Sequence, residues 1–178
     1  MTLANRLTLL RIGLVAPYAL AVLAGQLWLA ATLFAAAAAT DLLDGYIARK
    51  RNEETALGAA LDPIADKMLT VTALIVLVAN DTLTGWAIAG AVVIVMREIW
   101  VAGLRESLVS NDAELPVTLF AKAKTSVQLA GLLVLTLGPS LLGMALLWGA
   151  VGLTLYTGYQ YTRLSLKVLN LGTDEGTG

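Results

Sequence analysis

The chain predicts an all-α fold, an integral membrane bundle of six transmembrane helices with a short N-terminal interfacial helix, and three observations carry that prediction. Of its 178 residues, 58% are hydrophobic, and the mean hydropathy is +0.77. Soluble domains hold about 45–50% apolar residues. Apolar runs close to the ~20 residues of a membrane span recur at 9–24, 27–47, 57–79, 84–104, 121–137 and 141–163. Finally, all twelve basic residues fall on one side of the up-and-down path those runs define. They are Arg6 and Arg11; Arg49, Lys50, Arg51 and Lys67; Arg97, Arg105, Lys122 and Lys124; and Arg163 and Lys167. The loops at Gly25-Gln26, Asn80-Asp81 and Gly138-Pro139-Ser140 carry none. The positive-inside rule therefore places both termini on the cytoplasmic side. A missed or spurious span would scramble this alternation.

Each element has its own reason. Met1–Thr8 is short and mixed, as expected of a helix lying along the interface. Arg6 and Arg11 followed by Ala19-Leu20-Ala21 also resemble a cleavable leader, but Arg11 lies late for the charged region of one. The second run carries Ala35–Ala39 and continues into Asp41 without a break; such small residues let helices approach closely in lipid. A polar turn at 50–56 leads to the third run. There Asp62-Pro63 reads either as helix interior or as an N-cap followed by proline in the first turn. Residues 105–120 form the longest loop, with Ser110-Asn111-Asp112 and Pro116 as turn formers. The expected organisation is one membrane domain over 1–171 and a disordered, polar, Gly-rich tail over 172–178.

The chemistry is narrowed by what is missing. With no cysteine and no histidine, thiolate sites, His-ligated zinc and imidazole acid–base catalysis are excluded. Carboxylates, Lys, Arg, hydroxyls or a hard metal must do any chemistry. Asp41, Asp44, Gly45, Ala48, Arg49, Gly58, Asp62 and Asp66 form the pattern D-x-x-D-G-x-x-A-R, eight residues, then G-x-x-x-D-x-x-x-D. Asp41 and Asp44 are three apart and Asp62 and Asp66 four apart, so on helices each pair projects from one face. Two such faces brought together give four carboxylates around one volume, a site suited to two Mg²⁺ or Mn²⁺ ions. At the edge of a membrane and open toward phosphates, it would serve chemistry on a lipid.

Taken singly, Asp41 and Asp44 read as a solvated helix end and Asp62 as a cap. Several unpaired carboxylates along apolar helices would be a different matter. Each costs about 2.5–3.5 kcal/mol near the centre of a span, less toward the interface, and such groups mark functional paths by default. A carboxylate-lined ion carrier would also use them. It would not need Gly45, Ala48 and Gly58, which let a bulky group approach the backbone, nor Arg49, whose fork suits phosphate oxygens.

At these residues the chain resembles the CDP-alcohol phosphatidyltransferase family, matching the signature D-x2-D-G-x2-A-R-x8-G-x3-D-x3-D at every position. The resemblance implies six transmembrane helices, usually paired as a homodimer. It also implies transfer of a phosphatidyl group from CDP-diacylglycerol to an alcohol with release of CMP, in the bacterial inner membrane. By the same resemblance Asp41 and Asp62 bridge two metals, Asp44 completes one and Asp66 the other. Asp66 also serves as the base for the acceptor hydroxyl. The CDP-lipid is held by Gly45, Ala48, Arg49, Thr55 and Gly58, with Asn5 and Thr8 in the segment Asn5-Arg6-Leu7-Thr8 that closes over the nucleotide.

Residues 96–106 and 122–128 are similar to the matching segments of the family's bacterial phosphatidylglycerophosphate synthase branch, whose acceptor is sn-glycerol 3-phosphate. Ala121 stands where that branch has Gly. Arg97, Arg105, Lys122, Lys124 and Arg163 are the candidate acceptor-phosphate ligands, Arg97 and Lys124 lying nearest the span ends. Their alternative role is positive-inside flanking. Other acceptors within the family would be inositol phosphate, or phosphatidylglycerol as in cardiolipin synthesis.

Overall fold

The structure is a computed structural model; it describes residues 3–51, 56–109 and 118–174. Side chains of residues 3–4, 41–51, 56–60, 62, 109 and 169–174 lie outside that description. Six helices follow one another: α1 (Leu3–Leu23), α2 (Leu27–Arg51), α3 (Ala56–Ala79), α4 (Trp86–Val109), α5 (Leu119–Thr136) and α6 (Leu141–Asp174). Among the described residues there is no strand. The all-helical membrane bundle expected from the sequence is what the chain forms.

Among the described residues, four helices are long and apolar enough to cross a bilayer, over Asn5–Leu23, Trp86–Leu108, Leu119–Thr136 and Leu141–Val168. Leu27–Thr40, the part of α2 whose side chains are described, is also apolar. Large apolar side chains point outward all round the bundle: Leu141 is 88% exposed, Trp86 83% and Trp28 79%. On a soluble protein such a surface would aggregate; here it is the surface lipid covers. Trp28 and Trp86 begin α2 and α4 on the side without basic residues, at the level where amphipathic rings settle in a membrane interface.

Two helix boundaries differ from the sequence reading, and a third point that it left open is decided. The N-terminal segment is not a separate interfacial helix: Leu3–Thr8 are the first turns of α1. Their polar residues Asn5 and Thr8, with Arg11, lie at three-residue spacing and are buried in the bundle, so this face is held by its neighbours rather than by the interface. Pro63 lies inside α3, seven residues past its start at Ala56, so Asp62 is helix interior and not an N-cap. The helix α6 runs to Asp174, into the segment read as tail. At ~1.5 Å per residue its 34 residues exceed a ~30 Å hydrocarbon core, so its last turns extend beyond the core at the end rich in basic residues.

Short turns close the opposite end. Gly25 (φ 71°) and Gly85 (φ 54°) adopt left-handed conformations that a side chain disfavours. The helices form two groups. In one, α1 lies along α2 and α3; in the other, α6 lies along α5 and α4; α5 reaches across to α2 and α3. Gly131 of α5 brings its backbone against Leu146 and Leu147 of α6, where an added Cβ would stand 3.1 Å from the Leu146 side chain. Tyr18 on α1 is wholly buried, stacked at 5.4 Å on Phe34 and sharing a 3.1 Å hydrogen bond with Thr136 of α5. That bond meets the polar tip of a ring that lipid could not solvate.

Candidate active site

Where α3, α4 and α5 converge at the end rich in basic residues, a cavity of about 290 Å³ opens. Its charged wall is formed by Asp66 and Lys67 of α3, Arg97, Glu98 and Arg105 of α4, and Lys124 of α5. Each arrives there by helical spacing. Thr118 caps α5, its hydroxyl accepting from the Ala121 N–H at 3.2 Å. The buried face of α5 then runs Lys124, Gln128, Leu132 and Thr136 at four-residue steps. On α3, Asp66 and Thr70 share a face in the same way. Gln128 Nε2 donates to Thr70 Oγ1 at 3.2 Å, a rung one turn beneath Asp66 and Lys124 that registers α5 against α3.

The cations are held from behind. Lys124, 3% exposed, donates to Glu98 Oε1. The same oxygen accepts from Arg97 Nη1 at 3.3 Å, and Arg97 Nη2 donates to Thr157 Oγ1 of α6 at 3.0 Å. Tyr161 of α6 lies under both guanidiniums, 5.7 Å from Arg97 and 5.5 Å from Arg105, contacts worth about 0.5–2 kcal/mol each. Gly158 makes room, since a Cβ there would meet Arg97 Cγ at 3.3 Å. Lys67 donates to the Pro63 carbonyl at 3.2 Å. Depth grades from Lys124 and Glu98 inside to Arg105 at the exposed rim.

The sequence-stated candidates divide accordingly. Asp66, Arg97, Arg105 and Lys124 come together in one cavity. Lys122 and Arg163 do not: both are exposed and neither lines it. Each sits two residues from a buried one, Lys124 and Tyr161, and two residues turn a helix by about 200°, so they face away. Asn5 and Thr8 are buried near the start of α1. Asp41, Asp44, Gly45, Ala48 and Arg49 lie on the last turns of α2, and Gly58 and Asp62 on α3, with side chains outside the described residues. Thr55 lies wholly outside them. Among the described side chains, Asp66 alone represents the acidic quartet, and no group of three acidic residues is present.

Sequence reasoning missed Glu98, Thr157 and Tyr161, and gave Arg11 and Lys67 only a flanking role. The signal for Glu98 was available, since an ionisable residue within an apolar span is a functional candidate by default. Arg11 is fully buried, and its three-residue spacing from Thr8 and Asn5 was equally visible. Thr157 and Tyr161 gave no such signal, because a polar or aromatic residue on a long apolar helix is ordinary.

Helices, charged cavity and aspartate pattern together define a membrane-embedded transferase site, and comparison with known proteins agrees. The CDP-alcohol phosphatidyltransferase pattern matches residues 1–156; the chain belongs to that family. Three relatives share one printed name, CDP-diacylglycerol–glycerol-3-phosphate 3-phosphatidyltransferase. That of Cereibacter sphaeroides is 35% identical over 184 residues, covering 80% of this chain and 83% of the relative. That of Rickettsia bellii is 40% identical over 147 residues, covering 78% and 80%. That of Pseudomonas fluorescens is 38% identical over 175 residues, covering 92% and 89%.

Proposed function

We propose that the chain transfers the phosphatidyl group of CDP-diacylglycerol to sn-glycerol 3-phosphate, giving phosphatidylglycerophosphate and CMP. The observation that carries this is the convergence of Asp66 with Arg97, Arg105 and Lys124 in one cavity. Its ~290 Å³ lies at the small end of ligand sites, about 300–1,000 Å³, which suits a three-carbon phosphate. Guanidinium forks and an ammonium answer a phosphate monoester, whereas serine or another acceptor without a phosphate would leave the positive surplus of that wall unmatched. The names of the relatives support the same acceptor.

The acceptor's phosphate rests on Arg97, Arg105 and Lys124, and its free hydroxyl reaches toward Asp66. The hydroxyl oxygen attacks the phosphatidyl phosphorus, the bond from that phosphorus to CMP breaks, and the hydroxyl proton passes to the Asp66 carboxylate. Asp41, Asp44, Asp62 and Asp66 present only hard anionic oxygens, the donor set that Mg²⁺ and Mn²⁺ take. Asp66 stands at the cavity wall, and by the chemistry of its donors the set suits two such ions. When bound, they would neutralise the diphosphate and stabilise the departing CMP. Gly45, Ala48, Arg49, Thr55 and Gly58, with Asn5 and Thr8, hold the CDP-lipid. Holding both reactants in line supplies much of the acceleration in such transfers. The protein works as a homodimer in the bacterial inner membrane, with site and termini cytoplasmic.

The test is CMP release from CDP-diacylglycerol by purified protein with Mg²⁺ or Mn²⁺, offering glycerol 3-phosphate, inositol phosphate, serine and phosphatidylglycerol together. Glycerol 3-phosphate should be consumed first; a non-phosphorylated acceptor winning would end the assignment. Asn at position 41, 44, 62 or 66 should abolish release, with Asp66→Asn retaining CDP-lipid binding better than Asp41→Asn. Near-normal activity in two of the four would remove the two-metal site.

A further inference from the structure

Glu98 lies in an apolar span, at the back of the cavity, and one of its oxygens takes both the Lys124 ammonium and the Arg97 guanidinium. It is 9% exposed and Lys124 3%. As scaffolding this arrangement is poor. A buried ion pair is often no more stable than apolar residues of the same volume, and this one weakens two of the cations a phosphate would need. A role in selecting the ligand explains it better. The cavity's charged wall holds Lys67, Arg97, Arg105 and Lys124 against Asp66 and Glu98. Asp66 belongs to the acidic set proposed for the metals, so Glu98 is the carboxylate left to offset these four cations, and it cancels one of their charges. Without Glu98 the positive surplus facing the ligand would rise by one, and that surplus would favour ligands carrying more than one phosphate.

We propose that Glu98 is a positioning and charge-setting residue for the acceptor. It anchors Lys124 and Arg97 at the spacing one phosphate requires, and it discriminates against more highly charged anions. The inference rests on reading this cavity as the acceptor-phosphate site. Removing a like charge from a ligand's path relieves a repulsion. The gain should scale with the ligand's charge.

The experiment compares two competitors that lack a hydroxyl and so cannot react, n-propyl phosphate and propane-1,3-diyl bisphosphate, against glycerol 3-phosphate at saturating metal. In the wild-type protein the monophosphate should compete with the acceptor. Failure of any phosphate to compete there would sink the reading of the cavity itself, before Glu98 is touched. In Glu98→Gln, inhibition by the bisphosphate should tighten about tenfold more than inhibition by the monophosphate, and Glu98→Asp should restore the wild-type ratio. If both inhibitors change in parallel while only stability falls, Glu98 is a structural ion-pair partner and the proposal is overturned. Should Glu98→Gln fail to fold because Lys124 is left buried and alone, Glu98→Gln/Lys124→Gln restores the net charge without a lone ion. That double variant should show the wild-type inhibition ratio with a raised KM for glycerol 3-phosphate, and a ratio shifted toward the bisphosphate would refute the charge argument.

Discussion

Arg97, Arg105 and Lys124 differ from Lys122 and Arg163 in one respect, the side of the helix on which each stands. That is enough to separate pocket from flank. Losing one partner of a charge-assisted hydrogen bond costs about 1.5–3 kcal/mol. Arg97→Ala, Arg105→Ala and Lys124→Ala should therefore raise the KM for glycerol 3-phosphate by roughly tenfold to a hundredfold, with CDP-diacylglycerol affected much less. Lys122→Ala and Arg163→Ala should stay within about twofold of wild type, as expected of exposed charges away from the ligand. Steady-state kinetics on the five variants decides this. A large effect at Arg163 would mean that a second copy of the chain brings it to the cavity. Arg11 belongs to the same scale: fully buried, it is more than a marker of membrane orientation.

The element that sets the site is the α3–α5 contact. Asp66 and Lys124 stand on different helices, and the Thr70–Gln128 hydrogen bond one turn below fixes how those helices register. Gln128 Oε1 already lacks a partner among the described residues. Thr70→Val would strand the whole buried amide, costing about 1–3 kcal/mol. For a chain of this size that is a fall in Tm of roughly 3–10 °C. Thr70→Val/Gln128→Leu removes both polar groups and should recover part of that loss, since replacing both partners costs less than orphaning one. Thermal unfolding in detergent tests it; a double variant less stable than Thr70→Val alone would show that the pair contributes packing and no register. Between α4 and α6, the close passage of Gly158 beside Arg97 plays the matching part, letting α6 support the guanidinium with Thr157 and Tyr161.

For the molecule as a whole, the one-sided charge makes a topological prediction. Cysteines at Gln26 and Asp81, on turns of the uncharged end, should react with an impermeant thiol reagent added to intact cells. Cysteines at Lys122 and Lys167, exposed at the basic end, should react only after the membrane is opened. The chain has no native cysteine, so the background is clean. Labelling of Lys122→Cys from outside would invert the orientation and put the cavity on the side away from a cytosolic acceptor. The exposed apolar girdle and the length of α6 agree with one placement, in which the last turns of α6 emerge where the cavity opens.

The six helices, their alternating direction and the four aspartates were legible in the sequence. Apolar run length, one-sided basic residues and fixed motif spacing are local, additive signals, and the bilayer enforces them without reference to the rest of the fold. The helix ends were less legible. Leu3–Thr8 joined α1 and α6 ran to Asp174, because packing against neighbours overrides what a polar run favours alone, and of the two readings of Asp62-Pro63 the helix interior is the one formed. The cavity's membership was decided only by tertiary structure. Which of five cations meets Asp66 depends on the rotation of α4, α5 and α6 about their axes, and an error of two residues turns a side chain to the opposite face. Glu98, Thr157 and Tyr161 support those cations from positions 26 to 64 residues away from Lys124 or Arg97 along the chain or immediately beside them. Helix rotation in lipid is set by side-chain packing and interhelical hydrogen bonds, and those exist only once the helices have come together.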